Sequence, residues 1–139
     1  MKHIVVLNLL NLTNMSTAIW ILKGLIASLF LFTGISKIFI SKPKLITKGM
    51  NGLTNLNENQ IKVIGFLEFF GVLGLILPSL LNVFPFLSDI SAICFAVAMI
   101  VAGWIHYKLH LTVIPNILIL VLCILIVYLD LKMQGQIII

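Results

Sequence analysis

One apolar stretch limits the possible folds of this chain more than any other feature. Residues 61–81 read IKVIGFLEFFGVLGLILPSLL and carry one acidic side chain, Glu68, roughly two turns from the first end. About 20 apolar residues are enough to cross a bilayer as a helix. An ionisable group at that depth costs at least about 2.5 kcal/mol unless it finds a partner or water. The rest of the chain must therefore supply what satisfies Glu68.

Composition assigns the chain to the integral membrane proteins. It has 139 residues, 61% of them hydrophobic and 9% charged, whereas about 25% are charged in an ordinary soluble domain. The apolar runs are continuous and about 20 residues long, which favours helices over the alternating, ~10-residue strands of a barrel. Gly65, Gly71 and Gly74 surround Glu68, and small residues in membrane helices indicate surfaces where helices pack closely.

The predicted fold is all-α, an up-down-up-down bundle of four transmembrane helices. The expected spans are at about 17–40, 61–81, 87–108 and 113–131. Residues 17–131 are thus expected to form a single membrane domain. Residues 1–16 are expected to be an interfacial or disordered extension, and residues 132–139 a short tail. A short amphipathic piece is predicted at the membrane surface around residues 45–50.

Several polar or small residues are interpreted as markers of helix ends and contacts. Lys23 is predicted to anchor the first span at the interface, and Ser88 and Asp89 to cap the start of the third. Gly24 and Ser28, four residues apart, are typical of a helix contact. On this interpretation, the chain has a single acid deep in the membrane.

The lysines predict the orientation of the protein in the membrane. We call the side with the 41–60 loop and the third-to-fourth turn the loop side, and the side with both termini the terminal side. Six lysines fall on the loop side: Lys37, Lys42, Lys44, Lys48, Lys62 and Lys108. Three fall on the terminal side: Lys2, Lys23 and Lys132. The positive-inside rule then places the loop side in the cytoplasm of a multi-pass cell-membrane protein. Lysines that flank apolar runs, without any arginine, predict no nucleic-acid partner.

Four polar residues lie at similar depths in the loop-side half of the four predicted spans: Lys37, Glu68, His106 and Asn116. A lysine stem reaches several ångströms, so a contact between Lys37 and Glu68 is expected, with His106 nearby, if these faces point inward. All four are candidate ligand-binding residues, and Glu68 and His106 are also candidate catalytic acid–base residues. One histidine and one glutamate do not complete a coordination sphere, so no metal site is predicted.

Three of these residues also have simpler interpretations. Lys37 near a helix end is typical of a snorkelling anchor, His106 of an interfacial side chain, and Asn116 of a helix cap. Glu68 lies too deep for such a role. The shared depth favours a common site, but it leaves open whether that site binds a ligand, transfers protons or locks the bundle.

Three motifs, in this order, resemble the DoxX-like family of small four-helix membrane proteins. They are GISK at 34–37, GFLEFFGVLGLILP at 65–78 and AGWIH at 102–106. The resemblance covers about residues 16–131, and the polar positions typical of the family then fall on Lys37, Glu68 and His106.

The resemblance implies a fold more firmly than an activity. Some relatives are subunits of membrane oxidoreductases linked to sulfur compounds or quinones, and more distant ones include sterol isomerases and receptor-assembly chaperones. This chain lacks the cysteine pair of thiol-redox relatives. The expected function is binding of a small hydrophobic ligand of lipid or quinone type, or service as an accessory subunit of a membrane redox complex. The alternative is an isomerase-like membrane enzyme in which Glu68 and His106 perform acid–base chemistry on a hydrophobic substrate.

The expected partners follow from this interpretation. They are the lipid bilayer, the hydrophobic ligand, and a membrane protein partner or a second copy of the chain. No cofactor is predicted, with a bound quinone or lipid as the possible exception. A proton-coupled carrier is a third hypothesis, and it would require a dimer because four helices are few for a transport path.

Overall fold

The computed structural model, which describes residues 1–137, is a bundle of four long helices. The long helices are α1 (Lys2–Phe39), α3 (Glu58–Leu81), α4 (Phe86–Lys108) and α5 (Ile114–Ile137). A short helix, α2 (Lys42–Thr47), and a 3-10 turn (Asn51–Leu53) lie between α1 and α3. All four long helices are long and apolar enough to cross a membrane. The predicted all-α, four-span fold is confirmed, and the protein is a multi-pass membrane protein.

The four long helices form a closed ring around an apolar core. Helix α3 packs between α1 and α4, and α5 completes the ring by contacting α4 and α1. At the centre, the rings of Phe30 and Phe95 stack with centroids 4.0 Å apart. The other fully packed core residues are Ile26, Ala27, Val72, Leu75, Ala92, Cys123 and Ile126.

Glycines set the closest helix contacts, as predicted for α3. A Cβ atom at Gly65 would lie 2.7 Å from the Gly34 carbonyl oxygen, so α1 and α3 touch through their backbones. Gly71 faces the ring of Phe95, and Gly74 faces α4. The predicted contact at Gly24 is wrong: an added Cβ there would meet no atom within 4 Å, because this residue lies on the outer face of α1.

The ends of two long helices extend beyond the predicted spans. Helix α1 begins at Lys2, so residues 2–16 of the extension, for which an interfacial or disordered state was the expectation, are helical. No proline or glycine interrupts this stretch, and at 1.5 Å per residue α1 is about 57 Å long. The interfacial location of its first turns stays a prediction. Helix α5 likewise continues through most of the predicted tail, and residues 138–139 lie outside the described residues.

Helix α4 starts differently from the prediction. Pro85 takes the N-cap position and no side chain caps the helix, so capping by Ser88 and Asp89 is wrong. Both side chains lie inside the first turn on the inward face and are buried. The Ser88 hydroxyl donates a hydrogen bond across the bundle to the Leu75 carbonyl oxygen at 2.7 Å.

The loop between α1 and α3 folds back onto the loop-side end of the bundle. Helix α2 starts and ends earlier than the predicted amphipathic piece, and its Leu45 is fully buried against Leu53 and Ile61. Gly49, at φ 95°, takes the left-handed conformation that ends this helix without a Cβ clash. The loop therefore forms a lid over the end of the bundle rather than lying apart on the membrane surface.

The glycine contact between α1 and α3 yields a matched pair of variants. Gly65→Ala should destabilise the bundle by about 1–3 kcal/mol, because its Cβ would press on backbone that is held in place. Gly24→Ala adds the same atom to an open face and should leave stability unchanged or slightly raised. Thermal unfolding in detergent micelles compares the two. Equal midpoints for both variants would show that the helices do not touch at Gly65.

Candidate functional site

A cavity of about 470 Å³ lies in the loop-side half of the bundle. All four long helices contribute to its wall, and the 3-10 turn covers its end. Most of the lining is apolar, from residues such as Phe30, Leu53, Met99 and Ile119. The polar lining residues are Thr33 and the four predicted site residues, Lys37, Glu68, His106 and Asn116. The structure therefore brings these four residues together, while their functional roles stay predictions.

Glu68 points into the bundle and is only 9% exposed. Its Oε1 accepts a hydrogen bond from the Lys37 ammonium group, and its Oε2 accepts one from the Thr33 hydroxyl at 3.1 Å. The predicted contact between Lys37 and Glu68 is confirmed, and Lys37 turns inward rather than snorkelling to the membrane surface. Both oxygens of the acid are thus satisfied by α1.

The local sequence explains why α1 can reach this acid. Gly34 lies one helical turn before Lys37, and a Cβ atom at Gly34 would be 3.2 Å from the Glu68 Cβ. The facing Gly65 lies one turn before Glu68 and is equally close to α1. Because neither glycine has a side chain, the two backbones approach closely enough for the ammonium and carboxylate groups to meet.

His106 lines the cavity, and one contact fixes the orientation of its ring. Its Nδ1 lies 3.0 Å from the Thr112 carbonyl oxygen, and since a carbonyl only accepts, Nδ1 carries the hydrogen. When the ring is neutral, its lone pair is therefore at Nε2, which faces Gly52 of the 3-10 turn. A Cβ at Gly52 would lie 2.5 Å from Nε2, so any larger residue at this position would clash with the imidazole ring. His106 is therefore not a lipid-facing interfacial side chain.

Asn116 is the least satisfied polar group of the cavity wall. It is 8% exposed, and its amide nitrogen has no hydrogen-bond partner among the described residues. It makes no capping bond, so the interpretation as a helix cap is wrong. Its Cβ packs close to Gly103, one turn from His106. An unpartnered buried amide costs about 1–3 kcal/mol, which a bound acceptor would recover.

The structure also shows a second polar cluster, which sequence reasoning missed. On the terminal side, Lys23 is 3% exposed and pairs with Asp130 at 2.7 Å, so it is not the predicted interfacial anchor. Asp89 is buried beside this pair. The bundle thus holds three buried acids rather than one. Lys23 and Asp130 lie at the terminal-side ends of the predicted spans 17–40 and 113–131, and their opposite charges were the signal that could have paired them.

The comparison with known families agrees with the sequence motifs. The sequence model of the DoxX-like family matches residues 21–129. This range includes every residue that lines the cavity, from Leu29 to Ile119. Asp130 lies immediately beyond the matched range. No curated protein and no solved structure gives a significant match to the chain.

A double-mutant cycle measures the pair that fixes α1 to α3. Glu68→Gln should cost about 3–5 kcal/mol, because it leaves the Lys37 ammonium group buried without its counter-charge. Lys37→Met should cost a similar amount of stability, because it leaves the Glu68 carboxylate buried without its counter-charge. The double variant removes both charges and should be more stable than either single variant, as thermal unfolding in detergent would show. Strictly additive losses would mean that the two side chains do not interact.

Proposed function

The chain belongs to the DoxX-like family, and we propose that it binds a small, neutral, hydrophobic molecule in the cavity beside Glu68. One observation carries this proposal. A mostly apolar cavity of about 470 Å³ has an unpartnered amide at Asn116 and a lone pair at His106 in its wall. Pockets of about 300–1,000 Å³ with a few placed polar groups are typical small-molecule sites.

Charge balance argues that the ligand is neutral. Lys37 and Glu68 cancel each other within the wall, and His106 contacts a backbone carbonyl oxygen, which supplies no counter-charge. A charged ligand would have no counter-charge there unless it broke the ion pair, which costs several kcal/mol. The internal pair supports a site that is polar enough to orient a ligand but carries no net charge.

The unpaired hydrogen-bonding groups of the cavity wall indicate which polar group the ligand should carry. The Asn116 amide nitrogen requires an acceptor, and the Nε2 of His106 requires a donor. A hydroxyl group supplies both, and a carbonyl group supplies the acceptor. An alcohol or a quinol therefore complements the wall better than a pure hydrocarbon, and the oxidised quinone would satisfy Asn116 alone. This agrees with a ligand of lipid or quinone type.

We propose that the ligand enters from the membrane. The lining includes Leu29 of α1 and Val101 of α4, which are also exposed on the outer surface of the bundle. At the loop-side end, Met50 and Leu53 contribute to the lining. Lining residues that reach the lipid-facing surface favour uptake of a lipid-soluble molecule over a water-soluble one.

An accessory role in a membrane redox complex would use the same site, since a quinol bound there would be accessible to the partner protein within the bilayer.

The acid–base enzyme remains the alternative, and the free lone pair of His106 favours it. Glu68 is less suited to act as a base, because both of its oxygens are already engaged. We propose that Glu68 holds α1 and α3 together at the cavity wall and that any proton transfer would involve His106.

We further propose that the protein lies in the cell membrane, with the loop side in the cytoplasm.

Filling the cavity should remove the ligand without harming the outer surface. Ala102→Phe projects a ring into the cavity, whereas Ile100→Phe places the same ring on an exposed position of the same helix. Extraction of the protein purified in mild detergent, followed by mass spectrometry, would show what each variant retains. We expect a neutral, hydroxyl- or carbonyl-bearing hydrophobic molecule with the wild type and Ile100→Phe, but not with Ala102→Phe.

The proposal fails if the wild type yields only the lipids found in equal amount with Ala102→Phe. Retention of a strongly charged amphiphile would contradict the argument from charge balance. It would require a counter-charge that the paired Lys37 and Glu68 do not supply.

Asn116→Leu should separate ligand binding from stability. In the delipidated protein, removal of an unpartnered amide should leave the unfolding midpoint unchanged or raise it. Ligand retention should fall about fivefold or more, since leaving the ligand's buried acceptor without its donor costs about 1–3 kcal/mol. Ile117→Val, on the exposed neighbouring position, is the control. A variant that loses stability while it retains the ligand would show that the amide serves the fold rather than the site.

A further inference from the structure

The terminal-side cluster joins all four helices through polar side chains, of which Lys23, Asp89 and Asp130 are buried. The Lys23 ammonium group of α1 contacts Asp130 Oδ2 of α5 at 2.7 Å and donates to the Ser79 hydroxyl of α3 at 2.9 Å. Asp89 of α4 accepts a long hydrogen bond from Gln134 of α5 at 3.5 Å, through its Oδ2. These side chains share no residue with the wall of the loop-side cavity.

The cluster has one acid more than its base can neutralise. Lys23 balances Asp130, and Asp89 then adds a negative charge that is 8% exposed. Its Oδ1 is buried and has no hydrogen-bond partner among the described residues. A buried carboxylate without a partner is costly, and this one also lies next to the carboxylate of Asp130. One additional positive charge would therefore neutralise the cluster.

We propose that this cluster is a proton-binding site, in which Asp89 and Asp130 share one proton beside the Lys23 ammonium group. The proton converts the unpartnered Oδ1 of Asp89 into a donor, and the neighbouring carboxylate can accept from it. The cluster then carries one ammonium group, one carboxylate and one carboxylic acid, with no net charge.

A proton fits this site better than a metal ion. The Lys23 ammonium group already occupies the position between Asp130 and Ser79, where a cation would have to be coordinated. A second cation would be repelled by it, whereas a proton becomes part of the carboxyl group. The polar groups beside Asp89 are Lys23 from α1 and Asp130 and Gln134 from α5, and none of them adds a positive charge beyond that of Lys23.

The site is separate from the proposed ligand cavity. Fourteen positions divide Lys23 from Lys37 on α1, about 21 Å along the helix axis. The stacked rings of Phe30 and Phe95 and the other core residues fill the space between. Loss of the proton would leave an unbalanced charge between the middle of α1, the start of α4 and the last turns of α5, so these segments should pack together less firmly as the pH rises.

Carbodiimide labelling tests the proposal on the full chain in detergent micelles. Dicyclohexylcarbodiimide adds to a protonated carboxyl group in an apolar environment, and peptide mass spectrometry locates the adduct. We expect modification at Asp89 or Asp130 that declines from mildly acidic to mildly alkaline pH. Glu68, which is paired with Lys37, is the internal control and should stay unmodified. Absence of any adduct at Asp89 and Asp130 throughout the pH range would overturn the proposal.

Charge counting makes a sharper prediction for the variants. Asp130→Asn leaves Lys23 and Asp89 as a balanced pair, so the modification of Asp89 should be lost. Asp89→Asn should likewise protect Asp130. If burial alone kept Asp89 protonated, Asp130→Asn would be labelled as strongly as the wild type, which would overturn the shared-proton assignment. Protection of the wild type by Na⁺ at constant pH, compared with choline, would instead identify a metal-ion site.

Thermal unfolding gives a second readout. At mildly acidic pH the folded wild type holds a proton that the unfolded chain has released, so its midpoint should fall as the pH rises through this range. Asp89→Asn lacks this proton and should show a flatter profile. Parallel profiles for the wild type and Asp89→Asn would contradict the proposal, even if both proteins fold equally well.

Discussion

The free-energy cost of an unpaired charge in hydrocarbon determines how closely α1 and α3 must pack. Glu68 lies too deep to reach water, so α1 must approach α3 closely enough to deliver an ammonium group. That approach depends on Gly34 and Gly65, which allow the two backbones to touch. The ion pair and the glycine contact therefore depend on each other. Together they fix one wall of the cavity, and α4 and α5 provide the other.

The polar groups of the bundle are divided between two levels. The loop-side level holds the cavity, with balanced charges and two free hydrogen-bonding groups. The terminal-side level is densely connected and has one acid in excess. Between them, the core around Phe30 and Phe95 is apolar and packed. This separation argues against a continuous proton path through a single chain, and it favours a binding protein over a carrier.

The sequence predicted the spans and the loop-side site because both depend on strong, local signals. Long apolar runs define helices in a membrane, and one acid within such a run requires a partner at its own depth. The terminal-side cluster had no such signal. Lys23 is indistinguishable from an interfacial anchor in the sequence, and Asp89 resembles a helix cap. Whether Asn116 pairs or stays unpartnered depends on helix rotation, which hydropathy does not determine.

A structure determined in lipid nanodiscs would test the central claim most directly. The account predicts that the Glu68 carboxylate faces the interior between α1 and α3. It also predicts non-protein density in the adjoining cavity, in contact with the Asn116 amide. A Glu68 side chain directed toward the acyl chains, or side chains that fill the cavity completely, would contradict it.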